Sequence, residues 1–468
     1  MLFSSLTFLY YFLPAVILLY FLAPARLRSY VLPAASLFFY VWGENKYILL
    51  LLLSTLTAYG SALLIALCHK KNRSVPAKVI LALFLTFSLF LLGFFKYTDF
   101  FIGNINSLLR TQIPYLRLAL PLGISFYTFQ TMSYVIDVYK KVPGIAPQRN
   151  FFFLLTYISM FPQLVAGPIV TYSTVADDLI HRKTTAALSL SGSRRFIMGL
   201  AKKVILANQL GELTVLLQNT GFPCTLSYWL LAIAFTLQIY FDFSGYSDMA
   251  IGLGYLFGFH FPENFNYPYI SRSITEFWRR WHISLGTWFR NYLYIPLGGN
   301  RVSAAKWIRN IFIVWLCTGF WHGASWNFIF WGLYFALFLV LEKFFLQSWL
   351  NRLPRPVSHC YVLFFVVISF VLFYYDRLPD LGNALQGMFG LASAAPVHSE
   401  TLYYGKSYLG LLIFSGLAST PVFRRLGERL AQKQYALFLT VPLYLCLLLL
   451  TTAYLVDSTF NPFLYFRF

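Results

Sequence analysis

The chain has 468 residues, of which 59% are hydrophobic and only 11% are charged, against about 25% charged residues in an average soluble domain. This composition argues against a soluble globule and indicates a polytopic membrane protein whose spans are helices. Lys and Arg outnumber Asp and Glu by 36 to 16, but they collect in short segments between apolar runs, as in loops kept in the cytoplasm. The net charge of +20 therefore does not indicate nucleic-acid binding.

Uncharged runs locate the candidate spans, because a bilayer core of about 30 Å needs about 20 helical residues. The first run has no basic residue before Arg26, unlike a cleaved signal peptide, so residues 1–23 are expected to remain as a span. The sufficiently long runs are 1–25, 47–68, 79–95, 118–136, 150–176, 225–241, 310–341, 407–423 and 436–456, with shorter candidates at 30–42 and 360–375.

Two of these runs contain residues that predict an interruption. The run 150–176 is expected to dip into the membrane and return, because Pro162, Gly167 and Pro168 disfavour a continuous helix. The run 310–341 is long enough for two helices. Its candidate break residues are Gly319, Trp321, His322 and Gly323.

Two basic segments orient the chain. Residues 69–78 and 424–433 carry Lys and Arg with at most one acidic residue, so both should be cytoplasmic. Three crossings before residue 69 then place the amino terminus outside, and one crossing by 436–456 brings residues 460–468 to the outer side. If residue 310 lies at the cytoplasmic surface, His322 lies about 18 Å into the bilayer. The other segments expected inside are 140–149, 177–203, 272–309 and 342–355.

The apolar pieces of the stretch 241–301 are too short to span and are expected to be broken by Asp242, Asp248, Pro262, Glu263 and Pro268. The stretch is therefore predicted to be buried in protein or to line a wet cavity. Within it, aromatic and basic side chains alternate between residues 276 and 290. One interpretation is an interfacial helix, with Trp in the headgroup belt and Arg reaching lipid phosphates. The other is a donor site that binds the phosphates of coenzyme A or of a phosphopantetheine arm. Its candidate residues are Arg279, Arg280, Trp281 and Arg290.

His322 is the second candidate for chemistry. A lone buried histidine is more often a hydrogen-bonded structural group than a catalyst, but an imidazole at membrane depth is costly unless it is used. Its usual pKa of about 6.5 suits general-base work on a hydroxyl or thiol. No metal site or disulfide framework is expected, because no CxxC pair occurs and His282 and His322 are 40 residues apart in the sequence.

Several blocks of the sequence resemble the membrane-bound O-acyltransferases. The similarity covers about residues 120 to 468, and within the family it is closest in character to the bacterial branch typified by alginate O-acetylation proteins. The blocks are PLGISFYTFQTMSYVIDVY (121–139), FPQLVAGPI (161–169), FDFSGYSDMAIGLG (241–254), the region 261–301 with WRRWHISL, and WHGASWNFIFWGLY (321–334).

The resemblance implies an all-α integral membrane protein with about eleven spans, plus re-entrant and interfacial helices around a central tunnel. His322 matches the catalytic histidine of the family, and His282 matches the second histidine of its signature, where many lipid-modifying and protein-modifying relatives have Asn. One membrane domain over 1–468 is expected. It would comprise N-terminal spans (1–119), a catalytic core (120–345), C-terminal spans (346–459) and a C-terminal aromatic motif (460–468).

The ending FNPFLYFRF (460–468) resembles an aromatic motif of the same branch, in which a tyrosine is proposed to accept the acyl group. Tyr465 is the matching residue. A phenyl ester keeps a high acyl-transfer potential, and a phenol with a pKa of about 10 requires a base such as His322. The alternative is a hydrophobic cap on the outer face of the protein.

These observations predict an O-acetyltransferase of the bacterial cytoplasmic membrane. It would take acetyl from a cytoplasmic thioester, either acetyl-coenzyme A or an acyl-carrier protein, and modify an extracytoplasmic polysaccharide such as alginate, cellulose or peptidoglycan. No permanently bound cofactor is expected; the expected partners are membrane lipid, the polysaccharide and an SGNH-type transferase or esterase. The alternatives are D-alanylation of teichoic acid, acylation of a lipid or protein, and a transporter with Asp242, Asp248 and His322 on its pathway.

Overall fold

The computed structural model describes residues 1–165, 167–391, 395–431 and 436–457, together with residues 461 and 464. Regular structure in these residues is helical and includes no strand, which confirms the expected all-α class. The chain divides into two compact units. Unit 1 comprises residues 1–196 and 249–262, and unit 2 comprises residues 197–248 and 263–468.

Unit 1 contains the first eight α-helices and most of the ninth, and a π-helical turn over Phe8–Phe12 precedes the first of them. The helices are α1 (Leu13–Leu22), α2 (Ala25–Gly43), α3 (Ile48–Lys70), α4 (Ser74–Leu109), α5 (Ile124–Lys140), α6 (Phe151–Ser159), α7 (Phe161–Leu164), α8 (Tyr172–His181) and α9 (Ala186–Ala201).

Unit 2 contains the later helices, except that the end of the eleventh helix belongs to unit 1. These are α10 (Asn208–Gln218), α11 (Thr225–Leu256), α12 (Ile274–Arg280), α13 (Ile283–Phe289), α14 (Ala304–His322), α15 (Trp326–Leu341), α16 (Gln347–Leu350), α17 (Arg355–Tyr374), α18 (Leu378–Met388), α19 (Ser399–Ser407), α20 (Leu409–Ala418), α21 (Val422–Ala431) and α22 (Ala436–Asp457). Three π-helical segments (Lys202–Ala207, Arg290–Tyr294 and Glu342–Leu346) and a 3₁₀ turn (Pro268–Ile270) lie between them.

Six described helices are long and apolar enough to cross a membrane, so the chain is a multi-pass membrane protein. They differ in what surrounds them. Only 17% of the most apolar part of α4 is buried inside the protein, whereas the corresponding share of α11 is 72%. The six helices are Ile48–Lys70, Ser74–Leu109, Thr225–Leu256, Trp326–Leu350, Arg355–Tyr374 and Phe438–Asp457.

The break predicted in the run 310–341 is confirmed, since α14 ends at His322 and α15 begins at Trp326. The two helices pack closely because glycines lie where their backbones meet. A Cβ atom on Gly319 would collide with the carbonyl of Phe328, and one on Gly332 with the carbonyl of Trp315. Small residues at such crossings are common in membrane proteins. The packing therefore holds His322 at the end of a closely packed helix pair.

The interruption predicted in the run 150–176 is also confirmed. Here α6 ends at Ser159, and Pro162 lies in the first turn of the four-residue helix α7, where its missing N–H is not needed. The next helix, α8, begins only at Tyr172. The return of this segment to the side from which it entered the membrane stays a prediction.

The expectation that Asp242 and Asp248 interrupt the apolar segment is wrong, because α11 continues past both residues to Leu256. Each carboxylate is neutralised by a lysine from the π-helical segment that precedes α10, so the helix can keep both charges. The pairs are Lys203 Nζ with Asp242 Oδ1 and Lys202 Nζ with Asp248 Oδ2, each at 2.6 Å.

The run 407–423, a predicted span, is not one helix. The helix α20 ends at Ala418, and α21 begins at Val422 after a turn that contains Pro421. The ten residues of α20 reach about 15 Å, roughly half of a bilayer core. The separate helix α21 is strongly amphipathic, with exposed Arg424 and Arg425 among apolar side chains.

Candidate active site

The helix α12 is fixed at its amino-terminal end by two side chains. Ser273 caps it by accepting a hydrogen bond from the backbone N–H of Glu276 at 3.0 Å. The fully buried carboxylate of Glu342 accepts hydrogen bonds from the backbone N–H of Ile274 and from the backbone N–H and hydroxyl of Thr275. Negative charge at a helix amino terminus complements the free N–H groups and the helix dipole. This cap fixes where α12 begins, and the helix ends at Arg280, two residues before His282.

His282 occupies the sharp turn between α12 and α13. Its φ of +44° is in the left-handed region that side chains other than Gly seldom adopt. The conformation is held by Asn264, whose side-chain oxygen lies 3.1 Å from His282 Nδ1 and accepts hydrogen bonds from the backbone N–H and hydroxyl of Ser284. The backbone carbonyl of Asn264 also accepts from Ile283 N–H at 3.0 Å.

The Asn264 contact selects the tautomer of His282. A backbone N–H can only donate, so the Asn264 atom that accepts from Ser284 is the amide oxygen. The same oxygen can only accept from the imidazole, so Nδ1 carries the proton in the neutral ring. The lone pair is then on Nε2, which has no hydrogen-bond partner among the described residues. His282 thus has an unprotonated Nε2 that can accept a hydrogen bond or a proton.

The surroundings of His282 keep the ring neutral. Its side chain is 1% exposed, and the ring of Phe243 contacts it edge-on at 4.7 Å between centroids. Burial lowers the pKa of His282 well below its usual value, and the nearby His322 lowers it further. An imidazole with such a pKa is unprotonated at neutral pH and can accept a proton or a hydrogen bond.

The structure brings His282 and His322 together, although 40 residues separate them in the sequence. The ring of Trp321 lies beside both, with its centroid 6.1 Å from that of His282 and 5.1 Å from that of His322. His322 is 8% exposed and is also enclosed by Trp331 at 5.0 Å and Phe373 at 5.5 Å. Two imidazoles in an aromatic enclosure form a suitable site for proton transfer.

Several polar atoms around this enclosure are buried without a hydrogen-bond partner among the described residues. They include the indole N–H groups of Trp278 and Trp331 and the side-chain oxygen of Asn327. A buried polar group without a partner costs about 1–3 kcal/mol, and native structures contain few of them. Their concentration beside His322 is the pattern of a site that receives a polar ligand.

The four candidate donor-site residues lie in different environments. Arg279 and Arg290 are exposed, whereas Arg280 pairs with Glu276 at 2.9 Å. The ring of Trp281 is buried and stacks on Phe277, as a core residue does. The interpretation of residues 276–290 as one interfacial helix with Trp in the headgroup belt is wrong, because the segment is broken at His282 and two of its Trp side chains are buried.

One basic cavity was missed by the sequence reasoning. It has a volume of about 300 Å³ and brings Arg280 together with Arg424 and Arg425, more than 140 residues further along the chain. Arg424 donates to Glu428 at 2.8 Å. The doublet at 424–425 predicted only the orientation of the chain; nothing local in the sequence connects it with α12.

The remaining candidates have simple outcomes. Tyr465 lies outside the described residues. The described residues contain no group of three or more His, Cys, Asp or Glu side chains that could hold a metal ion. Asp242 and Asp248, two of the three residues on which the transporter alternative depends, are each paired with a lysine.

The chain is similar in sequence to known proteins. The model of the membrane-bound O-acyltransferase family matches residues 37–378, which include both histidines. The chain is 41% identical to a probable alginate O-acetylase (AlgI) of Pseudomonas aeruginosa, over 84% of this chain and 76% of that protein. It is 36% identical to the peptidoglycan O-acetyltransferase of Helicobacter pylori, over 78% and 74%. The teichoic acid D-alanyltransferase of Bacillus subtilis is more distant, at 29% over 53% and 65%.

Proposed function

Because the chain belongs to the membrane-bound O-acyltransferase family, we propose that it transfers acetyl groups for O-acetylation of an extracytoplasmic polysaccharide from the bacterial cytoplasmic membrane. The observation that carries the proposal is the enclosed pair of His282 and His322 in a chain that closely resembles O-acetyltransferases of alginate and of peptidoglycan. The acceptor would be a polymer of this kind. An SGNH-type transferase or esterase outside the membrane would complete the transfer to the sugar.

His322 is the proposed general base. It would take the proton of an attacking hydroxyl while the hydroxyl oxygen bonds to the thioester carbonyl carbon; the C–S bond then breaks, and the departing sulfur takes the proton from the imidazolium. Its position at the end of α14, against the rings of Trp331 and Phe373, supports this role, because the contacts fix the ring in an enclosure of low polarity. A fixed base avoids the cost of orienting one during the reaction.

His282 would act beside it through Nε2, by accepting a hydrogen bond from the donor or by relaying a proton. The hydrogen bond to Asn264 supports this role, because it leaves Nε2 unprotonated. The donor is proposed to be a cytoplasmic thioester, acetyl-coenzyme A or an acyl-carrier protein. The phosphates of the donor would be bound by basic side chains between residues 276 and 290. The candidates are Arg279, Arg280 and Arg290, with Trp281 in a supporting position.

Tyr465 is the proposed intermediate acceptor. Its phenol would receive the acetyl group from the thioester as a phenyl ester and pass it to an acceptor on the outer side of the membrane. The resemblance of residues 460–468 to an acyl-accepting motif supports this step, as does the presence of a base for the phenol in His322.

The proposal is tested by mass spectrometry of the C-terminal peptide after purified protein is incubated with acetyl-coenzyme A. We expect acetylation of Tyr465 in the wild-type protein and in neither His322→Ala nor Tyr465→Phe. A donor that binds and is consumed without any acetylated peptide would overturn the relay. Parallel incubation with a D-alanyl carrier protein tests the alternative that the chain transfers D-alanyl groups, as teichoic acid D-alanyltransferases do.

A further inference from the structure

Two hydrogen bonds join the described residues of the C-terminal segment, Asn461 and Leu464, to other parts of unit 2. The backbone N–H of Leu464 donates to Asp242 Oδ2 at 2.9 Å. The side-chain amide of Asn208 donates to Asn461 Oδ1 at 3.3 Å. The partners lie more than 200 residues away from the segment in the sequence, so these contacts arise from tertiary structure.

Both partners of the segment belong to one buried polar network. Lys203 Nζ lies 2.6 Å from Asp242 Oδ1 and donates to Asn208 Oδ1 at 2.9 Å. The side chains of Lys203 and Asp242 are only 2% and 3% exposed. The lysine occupies one oxygen of each partner, which leaves Asp242 Oδ2 and the amide group of Asn208 to bind the segment. A buried ion pair contributes little net stability, because desolvation offsets the attraction, so a second role for this network is physically reasonable.

The network lies beside the histidine site. Phe243 follows Asp242 on α11, and its ring contacts His282 at 4.7 Å. Leu464 packs against the apolar cluster that includes Trp331, whose ring lies 5.0 Å from that of His322. The contacts that hold the segment and the walls of the site are therefore parts of the same core.

We propose that Lys203, Asp242 and Asn208 form a docking site that binds the C-terminal segment through Asn461 and Leu464, and that acyl transfer to Tyr465 depends on this docking. The three are positioning residues, since they act on the segment and not on the substrate. Asp242 binds a backbone N–H, so the contact sets the position of the chain and is independent of the side chain at 464. The role of Tyr465 rests on the proposed function; the docking itself does not.

The sharpest test removes the bound N–H and leaves the network intact. Leu464→Pro lacks that N–H, whereas Leu464→Ala keeps it and serves as the matched control. Full-length protein of each variant is digested briefly with trypsin, and cleavage after Arg467, at a bond that does not involve residue 464, is followed by intact mass. A hydrogen bond to a charged acceptor shifts such an equilibrium by about tenfold or more, so we expect about tenfold faster digestion of the proline variant. Asn461→Ala should accelerate digestion less, because its contact is between neutral groups.

The second measurement in the same samples is acetylation of Tyr465. The proposal is supported if Leu464→Pro is digested faster and acetylated less than the wild type at an unchanged unfolding temperature. The control Leu464→Ala should then behave nearly as the wild type does. Equal digestion of the wild type and Leu464→Pro would overturn the docking. Equal effects of both substitutions at 464 would also overturn it, because the N–H would not be the group that is bound. Protection of the wild-type segment without any acetylation would retain the docking and refute the proposed role of Tyr465.

Discussion

Replacing Asn264 by Asp tests how the structure controls His282. The substitution keeps the shape of the side chain but places a carboxylate where the amide oxygen now lies, 3.1 Å from His282 Nδ1. An opposite charge at this distance raises the pKa of an imidazole by about 1–3 units, and each unit corresponds to about 1.4 kcal/mol. The wild-type pKa of His282 is lowered by burial and by His322, so the substitution opposes both effects.

The consequence is a displaced pH profile. If the reaction uses unprotonated Nε2 of His282, protonation removes activity, so the acid limb of kcat/KM should move upward by about 1–3 pH units in Asn264→Asp. Activity should recover at alkaline pH. The assay follows thiol release from acetyl-coenzyme A between about pH 5 and 9, a range centred near the usual imidazole pKa. Asn264→Ala removes the oxygen without adding charge and should lower activity without this upward shift.

The control for the added charge is Asn219→Asp, an exposed position at the end of α10. It should leave the pH profile unchanged. A folded Asn264→Asp protein whose acid limb stays at the wild-type pH would refute the reasoning, and so would loss of activity that no alkaline pH restores.

Three further changes test other parts of the site. His322→Gln should reduce acetyl transfer by at least about a hundredfold with an unchanged unfolding temperature, and retained activity would exclude His322 as the base. Glu342→Gln, which leaves at least one buried donor of the α12 cap without an acceptor, should lower the free energy of unfolding by about 1–3 kcal/mol in thermal denaturation; an unchanged midpoint would contradict the capping role. Gly319→Ala should destabilise the contact of α14 with α15 by about 1–3 kcal/mol, whereas Gly410→Ala, with open space around it, should not, and equal midpoints would argue against close packing.

The features that the sequence predicted well are those with local causes. The break after His322 depends on Gly323, and the interruption of 150–176 depends on Pro162, so each can be recognised from a few neighbouring residues. His322 was likewise recognisable as a candidate, because an imidazole at the expected membrane depth is uncommon, whereas His282 was recognisable through its match to the second histidine of the family signature. Their roles in catalysis stay predictions.

The features that the sequence did not predict depend on distant partners. The continuation of α11 through two aspartates depends on lysines about 40 residues earlier in the chain. A hydropathy profile scores these lysines and aspartates as separate charges and does not show that they pair. The left-handed conformation of His282 and its tautomer depend on Asn264, 18 residues away and outside any helix. The cavity shared by Arg280 and Arg424 likewise requires tertiary structure. Local propensity contains no information about such pairs.

The paired charges of α11 also bear on the biogenesis of the protein. Inserted alone, this helix would bring two aspartates into the bilayer, at about 2.5–3.5 kcal/mol each near the centre of a span. The lysines that neutralise them are synthesised first, because they precede α11 in the chain. The segment that carries them is therefore already present when α11 emerges, so the charges can pair as this helix is inserted. Substitution of both lysines by uncharged residues would then reduce membrane insertion itself, before any effect on folding or catalysis arises.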